Sequence, residues 1–242
     1  MKLKFKYGFC FIKIMKLSEI LVSERIAQAK ASFENSFQNY WKNFRSSKEG
    51  LGEKEVEELR KKLREMKKYS IKNLEQLKEK AVKNLSAQGI KVFDAKDAEE
   101  AREIIEKIIP KGEIVAKTKS NVLNEIEIVE KFKGRNEFVE TDCGDFLVEI
   151  CGEKSMHPVT PAIHLSEEKI VEAIKEKFGA TIEPKVEKIV EWVKNYLREK
   201  ILKAKFGLTG ANAISADGNI AILENEGNIS LVTRLSENHV IV

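Results

Sequence analysis

The chain has 242 residues, 42% hydrophobic and 34% charged, which is enough to bury a core as one large domain, or as one domain with a helical extension, and excludes a disordered or low-complexity protein. The net charge of +4 comes from Lys2, Lys4, Lys6 and Lys13; the rest balances at 39 basic against 39 acidic residues, so no basic face for nucleic acid is implied. Cys10, Cys143 and Cys151 are too few, and odd in number, for a disulfide framework, and fit a reducing cytoplasm. Abundant Lys, Glu and Ile beside four Gln resembles thermophile composition, a bias that an AT-rich genome also produces.

In chain order, MKLKFKYGFCFIKI alternates basic and apolar residues as a short strand does. It is too short to span a bilayer and is followed by no small-residue cleavage site. Met15-Lys16-Leu17-Ser18-Glu19 reads as an ordinary protein start, so residues 1–15 form a doubtful leader, either a misassigned extension or a loosely held arm. Residues 16–88 read as an N-terminal helical extension. Ser18 can cap its first segment, and Phe33, Phe37, Tyr40, Trp41 and Phe44 follow at the spacing of a core or interface stripe. After the break at Glu49-Gly50-Leu51-Gly52, Val56, Leu59, Leu63, Met66, Leu74, Leu77, Ala81 and Leu85 recur at three- and four-residue steps. This predicts one long amphipathic helix with its apolar stripe packed on the main domain, and Glu57-Lys61 and Glu58-Lys62 as surface pairs.

From Gly89 to the end the pattern alternates between strands and helices. Strands are expected at Ile90–Phe93, Glu113–Ala116 and Glu137–Glu140. A helix opened by the capping box Asp97/Glu100 and closed before Pro110 lies between the first two, and a second helix, Val122 to Phe132, between the next two. Such alternation implies a largely parallel sheet, whose ligands sit beyond the carboxyl ends of its strands. Further on, Ser166 caps a helix that Gly179 ends, with Leu165 and Ile170 as its staple. Pro184 starts another with Val186, Ile189, Val193 and Leu197 on one face.

Polar residues gather at these strand ends. Lys117-Thr118-Lys119-Ser120 brings two ammonium groups and a hydroxyl to a helix start, where an anion is favoured, although caps preceded by lysine are common without any ligand. Thr141-Asp142-Cys143-Gly144-Asp145 is a second polar turn, and two prolines stiffen the segment His157 to His164. Thr209-Gly210-Ala211-Asn212, Ala216-Asp217-Gly218-Asn219 and Asn225-Glu226-Gly227-Asn228 supply turn residues that shape a pocket, or serve only as tight turns. Cys143, Cys151, His157 and His164 lack the close pairs of a metal site, so no metal is expected on the chain.

Lys-Thr-Lys-Ser with Glu125-Ile126, Glu140-Thr141-Asp142 with Gly144, Pro161-Ala162-Ile163-His164, Gly207-Leu208-Thr209-Gly210 and Asn225-Glu226-Gly227-Asn228 occur here in the order of the LUD (lactate utilization) domain family. From about residue 20 onward the chain resembles the N-terminal part of LutB-type iron–sulfur proteins of that family. The resemblance implies a NagB/RpiA/CoA-transferase-like α/β fold over residues 89–242. It also implies a cytoplasmic role in an iron–sulfur system that oxidises L-lactate, or a similar 2-hydroxy acid, to pyruvate. LutB-type proteins continue into a ferredoxin-like domain whose cysteines bind four-iron clusters. This chain ends at His239-Val240-Ile241-Val242 without those cysteines, so the cluster is expected on a partner subunit or on a C-terminal domain beyond this end. The turn at Ala216–Asn219 is a residue shorter than the family's pattern, and Ser236 stands where proline is common.

Together the residues and the resemblance nominate Lys117, Lys119, Ser120, Thr141, Thr209, Gly210, Asn212, Asn225, Gly227 and Asn228 for ligand binding. Glu125, Asp142, His157 and His164 are nominated as acid, base or orienting groups, and Glu226 by analogy with acyl transfer in related folds. The chain is then an oxidoreductase subunit that binds a small organic acid. The alternative is a self-sufficient enzyme or binding protein for a phosphorylated or CoA-linked small molecule.

Overall fold

A computed structural model describes residues 52–242 except 157–159 and 225–227, together with isolated positions between 34 and 50. The leader, the Ser18 cap and Phe33, Phe37 and Tyr40 lie outside the described residues. Trp41 and Phe44 are helical, with their rings edge to face at 5.6 Å.

The stem is two helices, α1 (Glu53–Lys72) and α2 (Leu74–Ala87), where one long helix is expected. The break falls at Asn73, which leaves the helical region at φ −116 and ψ 26. No residue of α1 is buried, and Leu59, Leu63 and Met66 are at least half exposed, so among the described residues the α1 part of the stripe is uncovered, while Leu77, Ala81 and Leu85 of α2 are partly or fully buried as expected. The ion pairs seen on α1 are Glu57–Arg60 and Glu65–Lys68, three residues apart rather than four. The end of α2 is anchored. Leu85 is buried, Asn84 Nδ2 donates to Ala216 O at 2.8 Å, and Gln88 Nε2 donates to Gly218 O at 3.2 Å.

Residues 90–93 are not a strand. The Gly89 N–H donates to Ser86 O and the Ile90 N–H to Leu85 O, a Schellman closure of α2 that uses Ile90 to end a helix. Ile90 and Phe93 stay exposed, with no neighbouring strand among the described residues. Helix α3 (Ala98–Ile108) starts as expected: Asp97 Oδ1 accepts the Glu100 N–H, while Glu100 Oε2 accepts the N–H of Lys96. Strand β1 (Ile114–Lys117) follows, then α4 (Asn121–Glu125) and α5 (Ile128–Lys131), two short helices in place of one because Glu127 takes the left-handed conformation at φ 52. Strand β2 (Glu137–Glu140) has the expected bounds.

Asp142 then caps α6 (Cys143–Ile150), a helix where the sequence suggests only a polar turn; Cys143 is its first residue and Cys151 its C-cap. Helices α7 (Glu167–Phe178) and α8 (Val186–Lys203) follow the expected pattern, except that Val186 is exposed and the buried face runs Ile189, Val193, Leu197, Ile201. Strand β3 (Phe206–Thr209), the hairpin β4 (Ala213–Ile214) and β5 (Ile220–Ala221), helix α9 (Ile229–Leu235) and strand β6 (Asn238–Ile241) complete the chain.

The main sheet is parallel, with four strands in the order β2-β1-β3-β6. Alternation along β1 sends Ala116 to a core built with α6, α7, α8 and α9, and Val115 to a second core with Ile105 and Ile109 of the α3 end and Leu123, Ile128 and Phe132 around α4 and α5. Helices thus cover both faces. Gly207 lets α9 sit close on β3: a Cβ there would lie 2.8 Å from Val232 Cγ1 and 2.5 Å from Ser236 Oγ, so Ser236 has a packing role on this strand.

Candidate functional site

In the strand order β2-β1-β3-β6, the connection after β1 runs outward one way and that after β3 runs outward the other. Between the carboxyl ends of β1 and β3 the order reverses, which opens the crevice where parallel α/β sheets hold ligands. The chain passes it at Lys117-Thr118-Lys119-Ser120 and at Thr209-Gly210. The two turns are stitched together: the Thr118 N–H donates to Leu208 O at 3.0 Å, and a Cβ on Gly210 would lie 2.2 Å from Ser120 Oγ. Ser120 caps α4, its Oγ accepting the Leu123 N–H.

Charge is concentrated beside this crevice. Lys117 Nζ donates to Glu140 Oε2 at 2.6 Å, with the lysine side chain 3% and the glutamate side chain 10% exposed. The two residues end adjacent strands in register, so they emerge from the same face of the sheet. Glu140 Oε1 also accepts the Asp142 N–H at 3.1 Å. Burial nevertheless pushes the Glu140 carboxyl above its ordinary value, outweighing the pull of Lys117. Lys119 Nζ lies 3.7 Å from Asp142 Oδ1 and 3.8 Å from Asp145 Oδ2. Burial raises Asp145 as well, against Lys119.

Uncharged polar groups complete the cluster. Thr118, Thr141 and Thr209 are fully buried. Thr118 Oγ1 has no hydrogen-bond partner among the described residues, a cost of about 1–3 kcal/mol that a bound ligand or water relieves. Thr141 Oγ1 donates to Lys117 O, and Asn228 Nδ2 reaches across to Thr141 O at 2.8 Å from a left-handed backbone at φ 56. Thr209 Oγ1 and His239 Nε2 share a hydrogen bond of 2.8 Å, and burial lowers the affinity of His239 for a second proton. His164 is buried in the turn that follows Pro161, which abuts Gly144 at the start of α6.

Of the nominated residues, the crevice gathers Lys117, Lys119, Ser120, Thr141, Asp142, Thr209, Gly210 and Asn228. It does not include Glu125, which is exposed at the far end of α4. Asn212 belongs to the β4–β5 hairpin, where its Oδ1 accepts the Leu223 N–H. His157, Asn225, Glu226 and Gly227 lie outside the described residues. Sequence reasoning passed over Glu140, Thr118, Asp145 and His239. Glu140 was detectable, since it is the last residue of a strand paired in register with the one ending at Lys117. No group of three or more His, Cys, Asp and Glu side chains among the described residues is placed to hold a metal ion. Cys143 and Cys151, at opposite ends of α6, do not fit a cluster ligand set.

Raised proton affinity matters for how these carboxylates respond to pH. For Asp145, the folded form binds its proton more tightly than the unfolded form, whose ordinary value is 3.8. The stabilisation from protonating it is fully present below that value and is lost as pH rises through the higher folded one. Asp145→Asn is therefore expected to be at least as stable as the native chain at pH 7. That difference should vanish on acidification towards about pH 4, as read by paired thermal melts; a difference that grows on acidification contradicts the burial argument.

The architecture is a helix-covered parallel α/β domain with a charged, threonine-rich crevice at its strand-order reversal. The LUD domain family model matches residues 78–242, and the chain belongs to that family. It is similar to proteins named lactate utilization protein B, with 35% identity over 191 residues to that of Bacillus licheniformis and 34% over 191 residues to that of Bacillus subtilis. In both cases the match covers 77% of this chain and 40% of the relative. The Oceanobacillus iheyensis protein of that name is 32% identical over 241 residues, 94% of this chain and 49% of the relative. The chain thus spans half or less of the length of these relatives. No solved structure matches it significantly.

Proposed function

We propose that this LUD domain takes part in lactate utilization, as the names of its relatives suggest, by binding L-lactate or a similar small 2-hydroxy acid at the β1/β3 crevice. Its wider fold is then of the NagB/RpiA/CoA-transferase-like kind. Its place is that of an oxidoreductase subunit in the cytoplasm, with the electrons passing to iron–sulfur subunits or to an iron–sulfur domain outside this sequence. Among the described residues no helix is long and apolar enough to cross a membrane.

The observation that carries the reading is the alternation of two lysines with three acids at the crevice. Lys119, 17% exposed, is the cation within reach of an incoming carboxylate. Its charge is already offset by Asp142 and Asp145, so an anion binds well only if an acid of the cluster takes up a proton. Burial predisposes Asp145, the partner of Lys119, to do so, which leaves Glu140 ionised beside Lys117. Oxidation of a 2-hydroxy acid to the 2-oxo acid releases two electrons and two protons. The Glu140 carboxylate, paired with Lys117, takes the hydroxyl proton, the Asp142 carboxylate takes the proton of the broken Cα–H bond, and the two electrons leave one at a time to the iron–sulfur partner.

Calorimetric titration of the full chain with L-lactate, in buffers of different ionisation enthalpy, tests this. Saturable binding with net proton uptake, weakening as pH rises and lost in Lys119→Met, is expected. Tighter binding of CoA esters or sugar phosphates, with no response to lactate, overturns it in favour of the acyl- or phosphoryl-ligand alternative. Anaerobic purification from the native host should co-isolate an iron–sulfur polypeptide.

A further inference from the structure

Beneath the outer edge of β2, on the side covered by α6, α7 and α8, lies a cavity of about 340 Å³ that borders the crevice only at Glu140. Its volume falls at the lower end of small-molecule sites, roughly 300–1,000 Å³. Four aromatic residues, Phe138, Phe146, Phe178 and Tyr196, are among its lining. Phe146 and Tyr196 are 5.5 Å apart between centroids and Phe178 and Tyr196 are 4.9 Å apart, while behind them Trp192 stacks on Tyr196 at 5.3 Å with 7° between planes. These rings also pack on the main core, and at this surface-connected space they present flat faces and edges to an occupant.

The polar groups of the cavity are unequally satisfied. Glu140 is held by Lys117, and Lys200 donates to Glu137 at 2.6 Å. Lys177, at the end of α7, makes no hydrogen bond or ion pair with the described residues. Its acidic neighbour is Glu149, whose carboxyl burial raises. Lys177 is thus the lysine of the lining that makes no direct ion pair, its charge met by water and, at longer range, by Glu149.

We infer that this cavity is a second ligand site that takes a small aromatic carboxylate, its ring against Phe146, Phe178 and Tyr196 and its carboxylate on Lys177. The ring gains area and edge-to-face contact, and the carboxylate completes the lysine. Glu140 is the residue that the cavity and the crevice have in common. The inference stands independently of what the crevice binds.

Titration of the full chain with phenylacetate, by calorimetry and by the fluorescence of Trp192 behind the wall, tests it. One saturable site is expected, with cyclohexylacetate weaker and acetate silent. Lys177→Met should weaken phenylacetate about two- to fivefold, the loss of one solvent-exposed ion pair. Lys177 is exposed, so this variant should fold normally, as near-ultraviolet circular dichroism checks. Lys119→Met should leave phenylacetate binding intact. No saturation, equal binding of cyclohexylacetate, or loss in Lys119→Met with none in Lys177→Met each overturns the assignment; the last places the ligand in the crevice. L-lactate binding read on the same variants separates failure of this site from failure of the lactate reading.

Discussion

Lys117→Met is expected to destabilise the folded chain by about 3–5 kcal/mol, because it leaves Glu140 buried without its cation. The pair sits at 2.6 Å with both side chains almost withdrawn from water, so solvent cannot take over the role of the lysine. In a domain of this size the loss appears as a fall in melting temperature of about 6–20 °C. The penalty should shrink on acidification, since a protonated Glu140 no longer needs a partner. Lys117→Met combined with Glu140→Leu should recover most of the stability, as replacing both members of a buried pair by apolar residues often does. A loss below about 1 kcal/mol in the single variant, typical of exposed pairs, shows that water reaches the site.

Gly210→Ala should do comparable harm at the crevice by a steric route. The added methyl would sit 2.2 Å from Ser120 Oγ and 3.0 Å from Ser120 Cβ, so either the cap of α4 or the end of β3 must move. Overpacking of this kind costs about 1–3 kcal/mol. The turn it displaces also carries Lys119. Lactate affinity should therefore fall at least tenfold, about 1.4 kcal/mol, while thermal melts show a folded protein. Adding Ser120→Ala removes the nearest atom and should restore part of the stability. Unchanged melting and unchanged binding in Gly210→Ala contradict the contact between the two turns.

The parallel sheet was legible because it is written in local signals. Asp97, Ser120 and Ser166 cap helices where the sequence places them, Gly179 ends one, and the β2 bounds are those expected from its residues. Errors arose where tertiary context decides. The residues Ile90 to Phe93 have a strand's composition but no strand to pair with, and the first of them closes a helix instead. The α1 stripe has a buried helix's periodicity, yet nothing described covers it. Helix α6 was missed because Cys143-Gly144-Asp145 looks like a turn, although Asp142 is a good cap and Phe146, Leu147, Val148 and Ile150 are apolar enough to bury.

Much of the site was legible for the same reason: strand ends precede polar turns, and Lys117, Lys119, Ser120, Asp142 and Thr209 fall there. What the sequence hid was partnership. Glu140 reads as the tail of a strand until the register sets it beside Lys117. His239 reads as a terminal residue until β6 brings it to Thr209. Glu125 lies away from the crevice because its helix is one turn long and leaves it exposed at the far end.

The seam between β1 and β3 joins the strand neighbours farthest apart in sequence, with Val115 opposite Phe206, about ninety residues on. The outer pairs, β1 with β2 and β3 with β6, each close over far shorter loops. Folding therefore has two half-sheets that can form early and one central junction whose loop-closure entropy makes it late. Lys117, Thr118 and Ser120 belong to one half, and Thr209 and Gly210 to the other. The crevice thus comes into being only at the final docking, and a chain arrested before it would hold much of its secondary structure while lacking an assembled crevice.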